Sequence, residues 1–195
     1  MGKNDVLRNV SIEVDPGTVV GLQGINGSGK TMLMRAVCGL IKPTEGEISI
    51  DGQRLGADIS FPPSLGMLIE APSFWDICLA TTIWSSSLRS RALPPRRHSL
   101  CPAARGARCR RKKKFRAYSL GMKQRLGIAA AIMEKPKLLV LDEPTNALDE
   151  AGVEILKRVV AMAASTVARL FCPAMTERCS RSWPIGFTAC ATVPL

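Results

Sequence analysis

Residues 24–31 read Gly-Ile-Asn-Gly-Ser-Gly-Lys-Thr, which is the G-x-x-x-x-G-K-[ST] pattern of a phosphate-binding loop. The apolar residues 19–22 precede this loop and predict a short buried strand. Residues 32–38 follow it and have the composition of a helix. The loop therefore stands between a strand and a helix, as phosphate binding requires, and a plain glycine-rich turn is the weaker interpretation.

The residue types of this loop suit a nucleotide triphosphate. Glycines let successive backbone N–H groups surround phosphate oxygens, and the N-terminus of the following helix adds a partial positive charge. We expect Lys30 to reach the β- and γ-phosphates and Thr31 to supply a hydroxyl to Mg²⁺. The predicted phosphate-binding residues are Gly24, Asn26, Gly27, Ser28, Gly29, Lys30 and Thr31.

A second segment that predicts function lies at residues 137–144, where an apolar run ends in Asp142, Glu143 and Pro144. The run predicts a buried parallel strand, and open α/β sheets bind ligands at the carboxyl ends of such strands. Asp142 suits the coordination shell of Mg²⁺, and Glu143 suits a base that polarises an attacking water. A solvated strand end would be the better interpretation of this segment alone, but not beside a phosphate-binding loop. Alternating apolar residues at 10–14 predict one further strand.

Three more segments make the chain resemble the ATP-binding subunit of an ABC transporter. Residues 118–126 read Tyr-Ser-Leu-Gly-Met-Lys-Gln-Arg-Leu, a variant of the family's signature motif, and residues 142–149 read Asp-Glu-Pro-Thr-Asn-Ala-Leu-Asp. The variant is similar to that of bacterial bacitracin-resistance and lantibiotic-immunity exporters. Glu70, within Ile-Glu-Ala-Pro, stands where most members have the Q-loop glutamine and fits the same subgroup. The motifs keep the family's order over residues 1–76 and 116–165.

This resemblance implies an α/β fold of the P-loop NTPase class, with a mixed sheet flanked by helices, that binds ATP and Mg²⁺. It also implies a head-to-tail dimer with a second ABC ATPase subunit, in which each ATP lies between one phosphate loop and the other subunit's signature helix. A helix expected over residues 120–133 would carry that contact. The implied roles are catalytic for Glu143, Lys30 and Glu70, metal-binding for Thr31, Asp142 and Glu70, and nucleotide or dimer contact for Ser119, Gly121, Gln124 and Asp149.

The composition narrows the choice of protein class. No stretch approaches the roughly 18–20 apolar residues that span a bilayer, and residues 1–5 contain no apolar signal core. We therefore expect a single domain over residues 1–195 that is neither secreted nor itself transmembrane. The resemblance implies a cytoplasmic subunit, peripheral on the inner face of the cell membrane, that energises a separate permease for export of drugs or peptide antibiotics.

The net charge of +11 suggests nucleic acid until its position is considered. Residues 77–116 contain twelve basic and no acidic residues, whereas the rest of the chain has 15 basic and 16 acidic residues. A basic nucleic-acid-binding protein remains an alternative, although the basic run 108–114 has no regularly interleaved aromatic residues, so no specific nucleic acid is expected. A soluble ABC-type ATPase of translation or DNA repair is the other alternative. A lone histidine and the absence of a C-x-x-C pair argue against a zinc site.

Two segments conflict with the family pattern. Residues 77–116 lack the helical period of the family's helical subdomain, and residues 168–195 lack the expected switch histidine. We interpret both as out-of-frame translation, with a divergent natural insertion and tail as the alternative. Read two bases along, the codons for residues 171–176 can give Leu-Ser-Cys-His-Asp, which resembles the family's switch loop. The nucleotide-binding core is then residues 1–76 and 117–167, and we expect weak ATP binding and very low ATPase activity.

Overall fold

The computed structural model describes residues 6–23, 25, 27–72, 114–165, 169–173 and 189–192. Gly24 and Asn26 of the phosphate-binding loop lie outside the described residues. So do most of the basic segment 77–116 and most of residues 168–195, the two segments interpreted as out of frame.

The described part of the chain contains seven strands and three α-helices. The strands are β1 (Val19–Gln23), β2 (Ser49–Ile50), β3 (Gln53–Arg54), β4 (Leu65–Leu68), β5 (Leu138–Leu141), β6 (Arg169–Pro173) and β7 (Ala189–Thr192). The α-helices are α1 (Lys30–Val37), α2 (Leu120–Ile132) and α3 (Glu150–Ser165), and a short 3₁₀ helix spans Phe115–Ala117. The strand predicted at 19–22 and the helices predicted at 32–38 and 120–133 are confirmed to within two residues.

Five strands form one parallel sheet in the order β4-β5-β6-β1-β7. The antiparallel pairing in the described chain is confined to a separate two-stranded sheet of β2 and β3. The α/β class is therefore confirmed. Strands β6 and β7, which both border β1, come from the segment that the sequence marks as aberrant.

Strand β5 is covered by helices on both faces, as is typical of a strand within a parallel sheet. All four of its residues are buried, with Leu139 and Leu141 in the core against α2 and α3 and with Leu138 and Val140 in the core against α1. A strand covered on both faces reads as a continuous apolar run rather than as an alternation. The same covering places the carboxyl end of β5 beside the start of α1, where the candidate site lies.

The strand predicted at residues 10–14 is wrong. Ile12 and Val14 are half-buried and pack against the core beside α1, while Ser11 and Glu13 are exposed, so the alternation of burial is present. The segment is not assigned to a strand, because within the described residues it makes no ladder with another strand. The alternation of apolar and polar residues therefore predicted correctly which side chains face the core, but it did not predict strand pairing.

Gly66 in β4 is the tightest approach of a described glycine to its surroundings. A methyl group there would lie 2.0 Å from the backbone oxygen of Ala131 and 2.7 Å from Cγ of Pro136. Because a backbone oxygen at that distance must move, Gly66→Ala is expected to lower the free energy of unfolding by about 1–3 kcal/mol. Urea denaturation measures this. Met67→Ala, on the exposed side of the same strand, is the control and should cost less than Gly66→Ala; equal costs would contradict the prediction.

Candidate nucleotide-binding site

The phosphate-binding loop connects the end of β1 to the start of α1. Gly27 and Gly29 both have positive φ, +85° and +91°. The positive φ of Gly29 favours glycine, and a methyl group there would also require Cδ2 of Leu7, at 2.8 Å, to move. The backbone N–H groups at the start of α1 therefore stand at the mouth of the loop, the arrangement that binds phosphate.

Two side chains of the loop offer donors. The ammonium of Lys30 donates to the carbonyl oxygen of Ile25 at 2.8 Å, so it lies folded over the loop. Ser28 is 2% exposed, and its buried Oγ has no hydrogen-bond partner within the described part of the chain. A buried hydroxyl of this kind is normally satisfied, and an oxygen-rich ligand in the loop would supply the acceptor.

The decisive contact joins the loop to the end of β5. The hydroxyl of Thr31 donates to Oδ2 of Asp142 at 2.8 Å, across 111 residues of sequence. Asp142 is 5% exposed. Burial raises the pKa of its carboxyl, the Thr31 hydrogen bond opposes that rise, and the negative charges of Glu143 and Glu70 add to it. The site therefore holds a buried carboxylate that a cation would stabilise.

The residues present fit Mg²⁺ bound together with phosphate. Thr31 and Asp142 provide a hydroxyl and a carboxylate oxygen, the hard ligands that Mg²⁺ prefers. No group of three or more acidic, histidine or cysteine side chains within the described residues would hold a metal by itself. Mg²⁺ usually retains waters and takes substrate phosphates as ligands, so two protein ligands suffice.

Glu143 follows Asp142 directly but points into a different environment. It is exposed, and its φ is +44°, a left-handed conformation that is uncommon for a residue with a side chain. The side-chain amide of Asn146 donates to its Oε2. An exposed carboxylate held in one orientation beside the metal ligand suits a base that acts on water.

Glu70, predicted as a metal and catalytic residue, lies just beyond the end of β4. Its carboxylate forms an ion pair with Arg35 of α1, and its φ is +60°. Its charge still acts on Asp142, so it belongs to the same edge of the sheet. In this structure Glu70 is tied to α1 rather than to the Thr31–Asp142 pair, and its role as a metal ligand stays a prediction.

The signature residues occupy the beginning of α2. Oγ of Ser119 accepts from the backbone N–H of Met122 at 3.3 Å and caps the helix. Gly121 packs against the backbone of the loop that follows β5. Gln124, predicted to contact a nucleotide, instead is 4% exposed and directs its amide into that same loop, because its position on α2 faces inward.

Asp149, predicted at a dimer interface, caps α3. Its Oδ1 accepts from the backbone N–H of Gly152 at 2.9 Å, and its carboxylate pairs with Arg125 of α2. The Arg125 hydrogen bond is the main cause of the lowered pKa of Asp149. No sequence pattern marked the partners Arg35 and Arg125, whereas Asn146 belongs to the motif at residues 142–149.

Comparison with known proteins identifies the family of this fold. The family described as "ABC transporter" matches residues 7–146. The chain belongs to the ABC transporter ATP-binding family. This ABC ATPase is similar to a solved structure described as the ATP-binding subunit of an ABC transporter, with a TM-score of 0.80 and 27% sequence identity. The alignment covers 93% of this chain and 78% of that chain.

Three curated relatives of this ABC ATPase set the context. It is 46% identical over 159 residues to the ABC transporter ATP-binding protein YybJ of Bacillus subtilis, which covers 81% of this chain and 73% of that one. It is 35% identical over 167 residues to the lantibiotic transport ATP-binding protein SrtF of Streptococcus pyogenes, and the alignment covers 82% of this chain and 69% of SrtF. It is 34% identical over 163 residues to the bacitracin transport ATP-binding protein BcrA of Bacillus licheniformis, and the alignment covers 82% of this chain and 53% of BcrA.

These findings confirm the predicted ABC ATPase family, its P-loop NTPase fold and the likeness to bacitracin and lantibiotic proteins. Membership of this family supports ATP binding and hydrolysis as the chemistry of the chain. Within the described residues, none of the helices has the length and apolar character to cross a membrane.

The buried charge of Asp142 has a measurable cost. Because its pKa is raised in the folded state, the contribution of Asp142 to stability should fall as pH rises above the unfolded-state value of 3.8. In metal-free buffer at pH 7, Asp142→Asn should therefore melt at a higher temperature than wild type, and the difference should close below about pH 3.8. Calorimetry across pH measures this.

Mg²⁺-ATP should reverse that order. At about 100 times its Kd, a ligand adds about 2.7 kcal/mol to the stability of the protein that binds it, and Asp142→Asn should gain less. Glu154→Gln, an exposed carboxyl that pairs with Lys157, is the matched control and should show neither effect. A metal-free Asp142→Asn protein that melts below wild type at pH 7 would contradict the prediction.

Proposed function

We propose that this chain is the ATP-binding and ATP-hydrolysing subunit of a bacterial ABC transporter that exports peptide antibiotics or other drugs. The hydrogen bond between Thr31 and Asp142 carries this proposal, because it unites the phosphate-binding loop with the acids that follow β5. The signature variant, together with relatives named for lantibiotic and bacitracin transport, supports the exporter assignment.

The chemistry assigned to each residue follows from its position. Backbone N–H groups of the loop and the ammonium of Lys30 bind the phosphates, and Thr31 with Asp142 would hold Mg²⁺, which when bound would offset negative charge on the phosphates. Glu143 orients the attacking water and accepts its proton, while Asn146 keeps the carboxylate in place. As the water oxygen bonds to the γ-phosphorus, the bond from that phosphorus to the bridging oxygen of the β-phosphate breaks and ADP is the leaving group. ADP and inorganic phosphate then leave the site, and the free energy of ATP binding and product release is available to a partner.

The partners are a second ABC ATPase subunit and a membrane permease. Ser119 and Gly121 stand at the exposed start of α2, where a helix N-terminus favours a phosphate of the opposite subunit. Asp149 lies close by, at the start of α3. The permease places the ATPase on the cytoplasmic face of the membrane and selects the exported substrate.

We further propose that this chain is a damaged member of its family. Residues 168–195 contain no histidine that could serve as the switch residue, and residues 77–116 do not have the pattern of a helical subdomain. Loss of the histidine removes a group that stabilises charge in the transition state, and loss of the subdomain weakens coupling to the permease.

ATP turnover by the purified chain tests the proposed function. We expect measurable binding of Mg²⁺-ATP and hydrolysis well below about 1 per second, the low end of typical enzymes. Lys30→Ala should weaken ATP binding about tenfold or more, and Glu143→Gln should abolish the residual hydrolysis while ATP still binds. Lys157→Ala, far from the loop in sequence and on α3, is the control.

Each result has a clear consequence. Absence of ATP binding, or binding unaffected by Lys30→Ala, would refute the nucleotide site. Turnover of an intact enzyme that is lost in Glu143→Gln would refute the proposed damage while supporting the ATPase assignment.

The nucleotide sequence of the gene tests the frameshift separately. Read two bases along, the codons for residues 81–86 should begin a helical, acid-containing segment, and those for residues 171–176 should give a histidine followed by an aspartate. If the shifted frames contain neither, the divergent insertion and tail is the correct interpretation. A permease reading frame next to this gene is expected in either case.

A further inference from the structure

Helix α2 touches the loop of residues 143–149 along its first turns. A methyl group at Gly121 would lie 2.6 Å from the backbone oxygen of Ala147, so helix and loop are in direct contact there. One turn further on, Nε2 of Gln124 donates to the carbonyl oxygens of Glu143 and Pro144 at 3.4 and 3.3 Å. With only 4% of its surface exposed, Gln124 is buried between the helix and this loop.

The orientation of the Gln124 amide follows from its partners. Both are carbonyl oxygens, which only accept hydrogen bonds, so the amide nitrogen and not the oxygen must face them. The NH₂ group has two hydrogens, and two successive carbonyls of the loop are there to receive them. Gln124 therefore binds the backbone of the loop at two adjacent points.

The backbone held by Gln124 is the one that carries Glu143. With φ at +44°, Glu143 has a conformation that a residue with a side chain keeps only when its surroundings impose it. The carbonyl oxygen of Glu143 accepts a second hydrogen bond, from the backbone N–H of Asn146 at 3.1 Å, and Pro144 is fully buried. These contacts fix the peptide unit after Glu143 and hence the direction in which its side chain leaves the backbone.

A second tether acts on the side chain itself. The amide of Asn146 donates to Oε2 of Glu143. Asn146 thus orients the carboxylate, whereas Gln124 orients the backbone beneath it and does not touch the carboxylate. The two residues come from different elements, the loop and α2, so the position of Glu143 depends on the packing of α2 against the loop.

We propose that Gln124 is a positioning residue for Glu143, which holds the carboxylate in the direction required for hydrolysis through hydrogen bonds to the carbonyls of Glu143 and Pro144. The proposal rests on the proposed function of Glu143 as the base. Loss of these bonds lets the turn adopt other conformations, and a displaced base slows hydrolysis strongly. Nucleotide binding is made by the loop at residues 24–31, so it is unaffected.

The test replaces Gln124 by methionine, which has similar length and volume but cannot donate a hydrogen bond. Three quantities are compared with wild type: the Kd for Mg²⁺-ATP, the rate of a single turnover with protein in excess over labelled ATP, and the hydrogen exchange of backbone amides in residues 145–149. Lys137→Met is the matched control, since it introduces the same residue at an exposed position before β5.

For Gln124→Met we expect about tenfold slower hydrolysis, about tenfold faster exchange of these amides, and a Kd within about twofold of wild type. The control should equal wild type in all three. Hydrolysis or exchange at the wild-type level would overturn the proposal. So would a rise in Kd that accounts for the lost rate, because Gln124 would then act on the nucleotide.

Failure of the proposed function gives a different result. If the wild-type chain neither binds nor hydrolyses ATP, the ATPase assignment fails, and the exchange rates alone support or overturn the tether. Should Gln124→Met not fold, Gln124→Glu replaces it, since a buried carboxyl can donate only when protonated. The protection of these amides, which is their exchange rate corrected for the intrinsic pH dependence of amide exchange, should rise towards the wild-type value in that variant as pH falls from about 8 to about 6. A pH-independent protection would overturn the proposal.

Discussion

The hydrogen bond from Thr31 to Asp142 is the constraint on which the rest of the site depends. It joins the helix start that follows β1 to the residue that follows β5, although β6 lies between these two strands in the sheet. The contact requires both strands to end at the same edge, which a parallel sheet with covered faces provides. The electrostatics follow from it, since the charged form of the Asp142 carboxyl is destabilised first by burial and further by nearby acids, which suits it to a cation.

The loop after β5 is held from several sides, and this gives the site its geometry. Gln124 and Arg125 are neighbours on α2, yet one binds the loop backbone near Glu143 and the other binds Asp149 at the beginning of α3. A movement of α2 would therefore be felt at both ends of the loop. In an ABC ATPase this connects the helix that carries the signature motif with the carboxylate proposed as the base.

The site elements were predictable from sequence wherever the pattern is local. The phosphate-binding loop is contiguous, and β5 is a short apolar run with acids at its end, so strand, loop and helix followed directly from the order of residues. The prediction at residues 10–14 was wrong because alternation reports which side faces the core, whereas a strand also requires a ladder with a neighbouring strand, and the described residues contain none for this segment. The net charge of +11 suggested a nucleic-acid-binding protein until the excess of basic residues was located in residues 77–116.

By itself, the sequence determined the family, the α/β class and the residues of the phosphate-binding loop, because each is encoded in a short contiguous pattern. Only the tertiary structure decided what Gln124, Glu70 and Asp149 touch. Gln124 contacts Glu143 and Pro144, Glu70 contacts Arg35, and Asp149 contacts Arg125. The partners in these contacts lie 19 to 35 residues apart in the sequence. A motif specifies which side chain is present, but the packing of helices on the sheet decides which of its neighbours it meets.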